Sequence, residues 1–257
     1  MGKYQGVYPI VKKTRLTDTI FDIWVAAQSI AQEIRPGQFV GILCGGKPLR
    51  RPISICEADA ANGAIRLVFE ARGEGTRWLA QQEKGDKLDI LGPLGNGFPD
   101  FPTDKKVVFV GGGIGVPPLL MTCRPFGKNA DVYIGCRTAD NRILIHEFQS
   151  TCRNVVVATE DGTSGVRGLV TAPLEKRLLE APCDLIVTCG PKPMMKAVSE
   201  LAEKYSIECY ASLEERMGCG MGACLVCVCG IRDKKGEVHN RRVCSEGPVF
   251  NAKEVVW

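Results

Sequence analysis

The sequence predicts an antiparallel β-barrel, then a parallel-sheet α/β domain and a small C-terminal loop region. Short segments rich in Val, Ile, Leu and Phe, separated by Gly, Pro or Asn-Gly, fill the first hundred residues. Beyond them, compact apolar strands alternate with helical segments, which is typical of a parallel sheet covered on both faces. The last part lacks this alternation and carries a dense group of cysteines. We therefore predict domains at 1–102, 103–212 and 213–257.

Composition narrows the function classes. The 257 residues are 45% hydrophobic and 24% charged, an ordinary globular balance. A net charge of +4, with no run of like charges, gives little support for nucleic-acid binding. The N-terminus lacks signal-peptide features, and no apolar segment approaches the roughly eighteen residues of a membrane span. We expect a cytoplasmic protein without membrane contact, in which the thirteen cysteines are thiols or metal ligands.

Two motifs in the predicted barrel suggest an anion site. "RPIS" at Arg51 to Ser54 lies on a predicted barrel strand, where the Arg51 guanidinium can engage a pyrophosphate. "GEGT" at Gly73 to Thr76 opens the helix predicted for "EGTRWLAQQEK", where backbone N–H groups can bind phosphate. Each motif is also compatible with an ordinary Arg-Pro turn and a glycine-rich helix start.

The α/β domain contains two loops suited to a dinucleotide. "VVFVGGGIGVPPLL" runs from an apolar strand through glycines into a helix, although it departs from the strict G-x-G-x-x-G fingerprint at Val116. "CGPKPMM" also follows an apolar strand and opens a helix. Ligands bind at the carboxyl edge of such sheets, so we expect both loops at one site.

The tail carries the most specific motif. Cys219, Cys224 and Cys227 have C-x4-C-x2-C spacing, and Cys244 follows seventeen positions later. This is the plant-type ferredoxin spacing for a [2Fe–2S] cluster, and the interspersed glycines suit a loop that wraps it. Zinc is the main alternative, with unligated thiols as a further one. Cys229, in "CVCG", is a possible replacement for Cys227, but the spacing favours Cys227.

In this order, the motifs resemble those of the ferredoxin-reductase-like flavoprotein superfamily. Within it, "LEERMGCGMGACLVCVCG" and "RRVCSEGPVF" resemble iron–sulfur electron-transfer subunits of NAD-dependent (type B) dihydroorotate dehydrogenases. The resemblance implies an FAD-binding barrel, an NAD-binding domain and a [2Fe–2S] tail ligated by Cys219, Cys224, Cys227 and Cys244. The implied FAD contacts are Arg51, Pro52, Ile53, Ser54, Val68, Phe69, Glu70, Gly75 and Thr76. The predicted NAD contacts are Gly112, Gly113, Gly115, Glu160, Cys189, Gly190 and Pro191.

Two details are specific to this chain. Ile53 stands where an aromatic residue of the superfamily often covers the flavin, and the terminal Trp257 is more simply explained as a packed aromatic than as its replacement. Glu160 and Asp161 follow a strand where a carboxylate suits the ribose of NAD, whereas Arg137 would suit the 2′-phosphate of NADP. We predict NAD over NADP.

The resemblance also implies a partner and a reaction. The partner is an FMN-containing dihydroorotate dehydrogenase catalytic subunit, in a heterotetramer with two chains of each kind. Electrons from its FMN would reach NAD⁺ through the [2Fe–2S] cluster and FAD, in pyrimidine (UMP) biosynthesis. No side chain of this chain is expected to act as a catalytic acid or base.

Two other functions remain as alternatives. One is a flavin and iron–sulfur subunit of another redox complex, such as a sulfide dehydrogenase, a cytosolic hydrogenase or a ferredoxin-linked transhydrogenase. The other is a zinc-stabilised binding module that moves no electrons.

Overall fold

A computed structural model describes residues 2–257, which group into two compact units. The first comprises the chain up to Gly97 together with Glu214–Cys229 and Arg241–Pro248. The second comprises Phe98–Leu213, Gly230–Asn240 and Val249–Trp257. The tail thus contributes residues to both units, and the division into three consecutive domains stays a prediction.

The first unit contains a closed six-stranded barrel with the order β1-β2-β5-β4-β3-β6. All its strand pairs are antiparallel, as predicted. The strands are β1 (Tyr4–Arg15), β2 (Ile20–Ala26), β3 (Phe39–Leu43), β4 (Arg51–Asp59), β5 (Ala64–Glu70) and β6 (Lys87–Leu94). The helices are α1 (Gln28–Glu33) and α2 (Glu74–Gln81), and α2 lies within the predicted helical segment.

Inward-facing aliphatic side chains fill the barrel. On β4, Ile53 and Ile55 lie in the core, while the intervening Ser54 is only partly buried, which is the two-residue alternation of a strand. Full burial of one such side chain contributes about 1.5–3 kcal/mol. Burial of these side chains therefore stabilises the barrel.

The sequence pattern does not predict two features of the barrel. Residues 10–26 contain no Gly or Pro, but a turn at 16–19 separates β1 from β2, with the N–H of Ile20 donating to Thr17 Oγ1 at 3.0 Å. The short helix α1 has no amphipathic pattern long enough to predict it. Its Ile30 and Ala31 are buried in the barrel core, so tertiary packing stabilises it.

The second unit contains a seven-stranded sheet with the order β10-β9-β8-β7-β11-β12-β15. Its strands run parallel except β15, which pairs antiparallel with β12. The strands are β7 (Val107–Gly112), β8 (Ala130–Cys136), β9 (Asn154–Thr159), β10 (Val166–Arg167), β11 (Leu185–Cys189), β12 (Glu208–Ser212) and β15 (Val249–Asn251). The helices are α3 (Pro117–Cys123), α4 (Ile145–Thr151), α5 (Thr171–Glu180) and α6 (Lys192–Lys204).

The strand order creates a topological switch point. From β7 the chain moves outward through β8 and β9, then returns to place β11 on the other side of β7. Ligands of open α/β sheets bind where the order reverses, at the carboxyl ends of the strands. Every residue of β7 and β11 is buried, as expected for central parallel strands.

The remaining strands form a hairpin in the tail, β13 (Val228–Arg232) and β14 (Val238–Arg242). Within residues 2–257, no helix has both the length and the apolar character needed to cross a membrane. The predicted combination of antiparallel barrel and parallel sheet is confirmed.

Candidate functional site

The two barrel motifs meet in space. Arg51 begins β4, and its side chain lies over the first turn of α2, where a Cβ added to Gly75 would come within 2.6 Å of Arg51 Nε. Gly75 therefore leaves the room that the guanidinium occupies. A cation beside helix N–H groups forms an anion site, and the chemistry suits a pyrophosphate.

The other predicted flavin contacts divide into two kinds. Ile53 and Phe69 point their side chains into the barrel core, so Ile53 does not take the place of an aromatic cover. Thr76 Oγ1 accepts hydrogen bonds from the N–H groups of Arg72 and Gly73 at 3.0 and 3.2 Å, which fixes the start of α2. Pro52, Ser54 and Glu70 are partly buried, whereas Val68 is buried, so its backbone is the part suited to a ligand.

The two nucleotide-domain loops lie side by side at the switch point. A Cβ on Gly115 would lie 2.5 Å from the carbonyl oxygen of Cys189, and one on Gly112 would lie 2.8 Å from Pro191 Cδ. These glycines thus allow the two loops to pack closely. Gly113 differs, because its φ is +52° and the space beside it is open. It is the glycine of this loop best placed to admit a phosphate.

The predicted ribose-binding residue ends a neighbouring strand. The N–H of Glu160 donates to the carbonyl of Cys136 at 3.1 Å, which ties the ends of β9 and β8 together. Asp161 accepts hydrogen bonds from the N–H and hydroxyl of Thr163, which lower the pKa of that carboxyl and hold it in its own loop. Glu160 is exposed, and so is Arg137 at the end of β8. Both therefore lie at the edge where the glycine loops end.

Trp257 packs within its own unit. Its indole Nε1 donates to the carbonyl of Ala252 at 3.2 Å, and the ring is partly buried. This agrees with the interpretation as a packed terminal aromatic.

The predicted cluster ligands sit in a loop whose N–H groups point at sulfur. Cys219 Sγ accepts hydrogen bonds from the N–H groups of Met221, Ala223 and Cys224 at 3.5, 3.2 and 3.3 Å. Gly220 and Gly222 have φ of +71° and +91°, and this left-handed backbone turns the loop around the sulfur. Such N–H···S bonds stabilise thiolates and influence the reduction potential of a cluster.

The loop changes the acidity of its thiols. Burial raises the pKa of Cys219, but the N–H bonds from its own loop outweigh burial and lower that pKa to about 6. Burial, with the neighbouring Cys227 thiol, raises the pKa of Cys244 to about 12. A lowered pKa favours the thiolate form that ligates metals, so the loop favours ligation by Cys219.

Backbone hydrogen bonds to sulfur link the four predicted ligands in two pairs. The N–H of Cys219 donates to Cys224 Sγ at 3.4 Å, and the N–H of Cys244 donates to Cys227 Sγ at 3.4 Å. A tetrahedral zinc site would bring all four sulfurs to about 3.8 Å from one another. Across residues 2–257, no three cysteine sulfurs lie within 4.8 Å of each other. Two thiolates on each of two irons fit this arrangement, so the donor set fits a [2Fe–2S] cluster better than a zinc ion.

Cys227 and Cys229 have different surroundings. Cys227 is 1% exposed and receives the N–H of the fourth predicted ligand, whereas Cys229 lies on β13 and is only partly buried. This favours Cys227 as the ligand.

Sequence reasoning missed the residues that hold the fourth ligand in place. Arg242 Nη1 donates to the carbonyl of Gly222 at 2.8 Å, and Arg242 Nε donates to Glu246 at 3.0 Å. Asn96, after β6, donates through Nδ2 to the carbonyls of Ser245 and Glu246. Arg242 and Glu246 lie within the quoted "RRVCSEGPVF", but the sequence does not show their contacts, and no motif marks Asn96.

Known proteins resemble this chain along its length. Residues 214–256 match the family described as the iron–sulfur cluster binding domain of dihydroorotate dehydrogenase B. The dihydroorotate dehydrogenase B (NAD⁺) electron transfer subunit of Caldanaerobacter subterraneus subsp. tengcongensis is 43% identical over 223 residues, covering 86% of this chain and 87% of the relative. The subunit of the same name from Geobacillus kaustophilus is 38% identical over 255 residues, covering 96% of each.

Solved structures agree in fold. A structure described as NADH-dependent reduced ferredoxin-NADP oxidoreductase superposes with a TM-score of 0.87 and 32% identity, covering 100% of this chain and 92% of that one. A ferredoxin reductase of carbazole 1,9a-dioxygenase has a TM-score of 0.70 at 20% identity, covering 80% and 67%, and supports the fold alone. The identity and coverage of the curated relatives show that this chain belongs to the family of dihydroorotate dehydrogenase B (NAD⁺) electron transfer subunits.

Proposed function

We propose that this chain is the electron-transfer subunit of an NAD-dependent dihydroorotate dehydrogenase, delivering electrons from dihydroorotate oxidation to NAD⁺ in pyrimidine biosynthesis. The observation that carries the proposal is the paired arrangement of Cys219, Cys224, Cys227 and Cys244, in a chain of this family. When bound, a [2Fe–2S] cluster exchanges single electrons and FAD exchanges one or two, which links a one-electron donor to nicotinamide chemistry.

The chain's own residues bind and orient these groups. Arg51 and the first turn of α2 would hold the FAD pyrophosphate, with Ser54 and the backbone of residues 68–70 beside the rest of the flavin. The glycine loops after β7 and β11 would hold NAD, and Glu160 would bind its ribose. We propose NADH over NADPH on this basis, and comparison of kcat/KM for the two, with an artificial acceptor, tests it.

A catalytic subunit containing FMN is the proposed partner, in a heterotetramer of two chains of each kind. Apolar side chains on the cluster loop support docking there, because Met221, Leu225 and Val226 are 46%, 73% and 57% exposed. A cytoplasmic location is also proposed. It is supported by the sequence, because thirteen cysteines that include C-x4-C-x2-C ligand spacing are typical of a reducing compartment, where cysteines stay as thiols or bind metal.

The test is an anaerobic titration of the purified chain with NADH, followed by visible absorption and low-temperature EPR. Flavin bleaching with an EPR signal from about one reduced [2Fe–2S] cluster per chain is the expected result. Flavin reduction without a cluster signal, in a protein that analyses for zinc, would contradict the proposal.

A second function is favoured by one observation. The match to the NADH-dependent reduced ferredoxin-NADP oxidoreductase covers the whole chain. A subunit of a ferredoxin-linked transhydrogenase is therefore the alternative. Dihydroorotate-dependent reduction of NAD⁺ after addition of the purified catalytic subunit distinguishes the two, because a transhydrogenase subunit would not support it.

A further inference from the structure

Arg242 joins two segments that each contribute cluster ligands. It lies two residues before Cys244, and its guanidinium reaches across to the loop that carries Cys219 and Cys224. Nη1 donates to the carbonyl oxygen of Gly222 at 2.8 Å, and Nε donates to Glu246 Oε2 at 3.0 Å. The side chain is 37% exposed, so its contacts lie at the edge of the site.

The Gly222 carbonyl belongs to a peptide group that also faces a ligand. Across the same peptide bond, the N–H of Ala223 donates to Cys219 Sγ at 3.2 Å. A peptide group is planar, so fixing the direction of its C=O also fixes the direction of its N–H. The structure thus contains a chain of hydrogen bonds from the Arg242 guanidinium, through the Gly222–Ala223 peptide, to the Cys219 sulfur.

The guanidinium is itself held in place. Glu246 Oε2 accepts hydrogen bonds from Arg242 Nε and from the Arg242 backbone N–H, at 3.0 and 2.9 Å. The turn that follows is anchored to the end of the barrel by Asn96, whose N–H donates to the carbonyl of Gly247 at 2.6 Å. A Cβ on Gly222 would lie 2.8 Å from Ser245 Oγ, so the loop and the turn are in close contact.

We propose that Arg242 is a positioning residue that raises the reduction potential of the cluster through the Gly222–Ala223 peptide. Reduction adds negative charge to the cluster, and N–H groups directed at its sulfurs stabilise that charge. A cation on the carbonyl of the same peptide polarises the N–H and strengthens its bond to sulfur. This inference rests on the [2Fe–2S] cluster of the proposed function.

The experiment compares R242Q with wild type in the full-length chain, using an EPR-monitored redox titration. Gln removes the positive charge, and its amide cannot bond to Glu246 and to the Gly222 carbonyl at the same time as the guanidinium does. We expect the one-electron reduction equilibrium to shift about three- to tenfold toward the oxidised form, where tenfold corresponds to about 59 mV. Iron and acid-labile sulfide per chain confirm that both proteins are equally loaded.

R241Q is the matched control. Arg241 is the neighbouring arginine and also pairs with Glu246, through Nη1 at 2.8 Å, but this contact does not involve the cluster loop. We expect its shift to be less than half that of R242Q. An unchanged potential in R242Q, or an equal shift in both variants, would overturn the inference and leave the proposed function intact.

Two further results are decisive. If R242Q is purified without its iron and sulfide, the cluster is rebuilt anaerobically from iron and sulfide before the titration. A rebuilt R242Q with a lowered potential supports the role of Arg242, and one with the wild-type potential overturns it. A wild-type chain that forms no [2Fe–2S] cluster would overturn this inference and the proposed function together.

Discussion

Replacing Gly75 by Ala should weaken FAD binding by displacing Arg51. The added Cβ would lie 2.6 Å from Arg51 Nε, 3.0 Å from Cγ and 3.2 Å from Cδ. Three atoms of one side chain are too close, so a small rotation of the guanidinium alone does not relieve the overlap. The whole arm has to withdraw from the first turn of α2.

The contact distances give the magnitude. Non-bonded heavy atoms keep about 3.5 Å apart, so Nε has to move by about 0.9 Å. A hydrogen bond of about 2.8 Å from the guanidinium to a pyrophosphate oxygen would then exceed hydrogen-bond range. One lost hydrogen bond to a charged group costs about 1.5–3 kcal/mol, so we expect FAD affinity to fall about 10- to 140-fold.

Titration of the flavin-free chain with FAD, followed by flavin fluorescence, measures the affinity. G73A is the matched control, because a Cβ at Gly73 meets nothing within 4 Å, and we expect its affinity within about threefold of wild type. A double-mutant cycle with R51A tests the reasoning. If G75A acts through Arg51, it adds little to R51A, and additive effects of the two substitutions would refute the explanation.

Three further predictions concern the cluster, the partner and stability. C227S should abolish cluster binding while C229S keeps it, as measured by iron and acid-labile sulfide, and equal loss in both would contradict the ligand assignment. L225E should weaken the complex with the catalytic subunit at least about tenfold in a binding assay, because it places a charge in an apolar contact, whereas K235E should leave the affinity unchanged. If L225E bound the catalytic subunit as tightly as wild type, the interface would lie elsewhere. D131N should lower the free energy of unfolding by about 3–5 kcal/mol in urea, because Asp131 is buried between two arginines. Burial raises the pKa of Asp131 but the arginine contacts outweigh it and lower that pKa, so its contribution is present above about pH 4 and lost as the pH falls through the folded value; a variant as stable as wild type at pH 7 would contradict this.

Several elements could be predicted because their signals are local. The central strands β7 and β11 are apolar except for Thr188 because both faces are covered, and such runs of residues predict a parallel sheet. The spacing of Cys219, Cys224 and Cys227 predicts a cluster loop because three ligands from one short segment need that separation. Helix α2 begins at its predicted glycine-rich start.

Other elements escaped prediction because tertiary contacts stabilise them. Helices α1 and α4 are six and seven residues long, too short to show a clear helical period. Helix α4 also follows Leu144, whose φ of 59° is unusual for a branched residue, so its start carries no ordinary signal. Buried side chains such as Ile30 and Phe148 hold these segments in place.

The sequence by itself determined the fold class, the family resemblance and the predicted set of four cluster ligands, because each depends on residue types at short separations. Only the tertiary structure decided which distant residues contact the predicted binding sites. It placed Arg51 against Gly75, and Arg242 against Gly222, twenty positions away. It also placed Asn96 against Ser245 at a separation of 149 residues. Closing such long loops costs entropy that the packed core offsets, and no local pattern records which partners the core brings together.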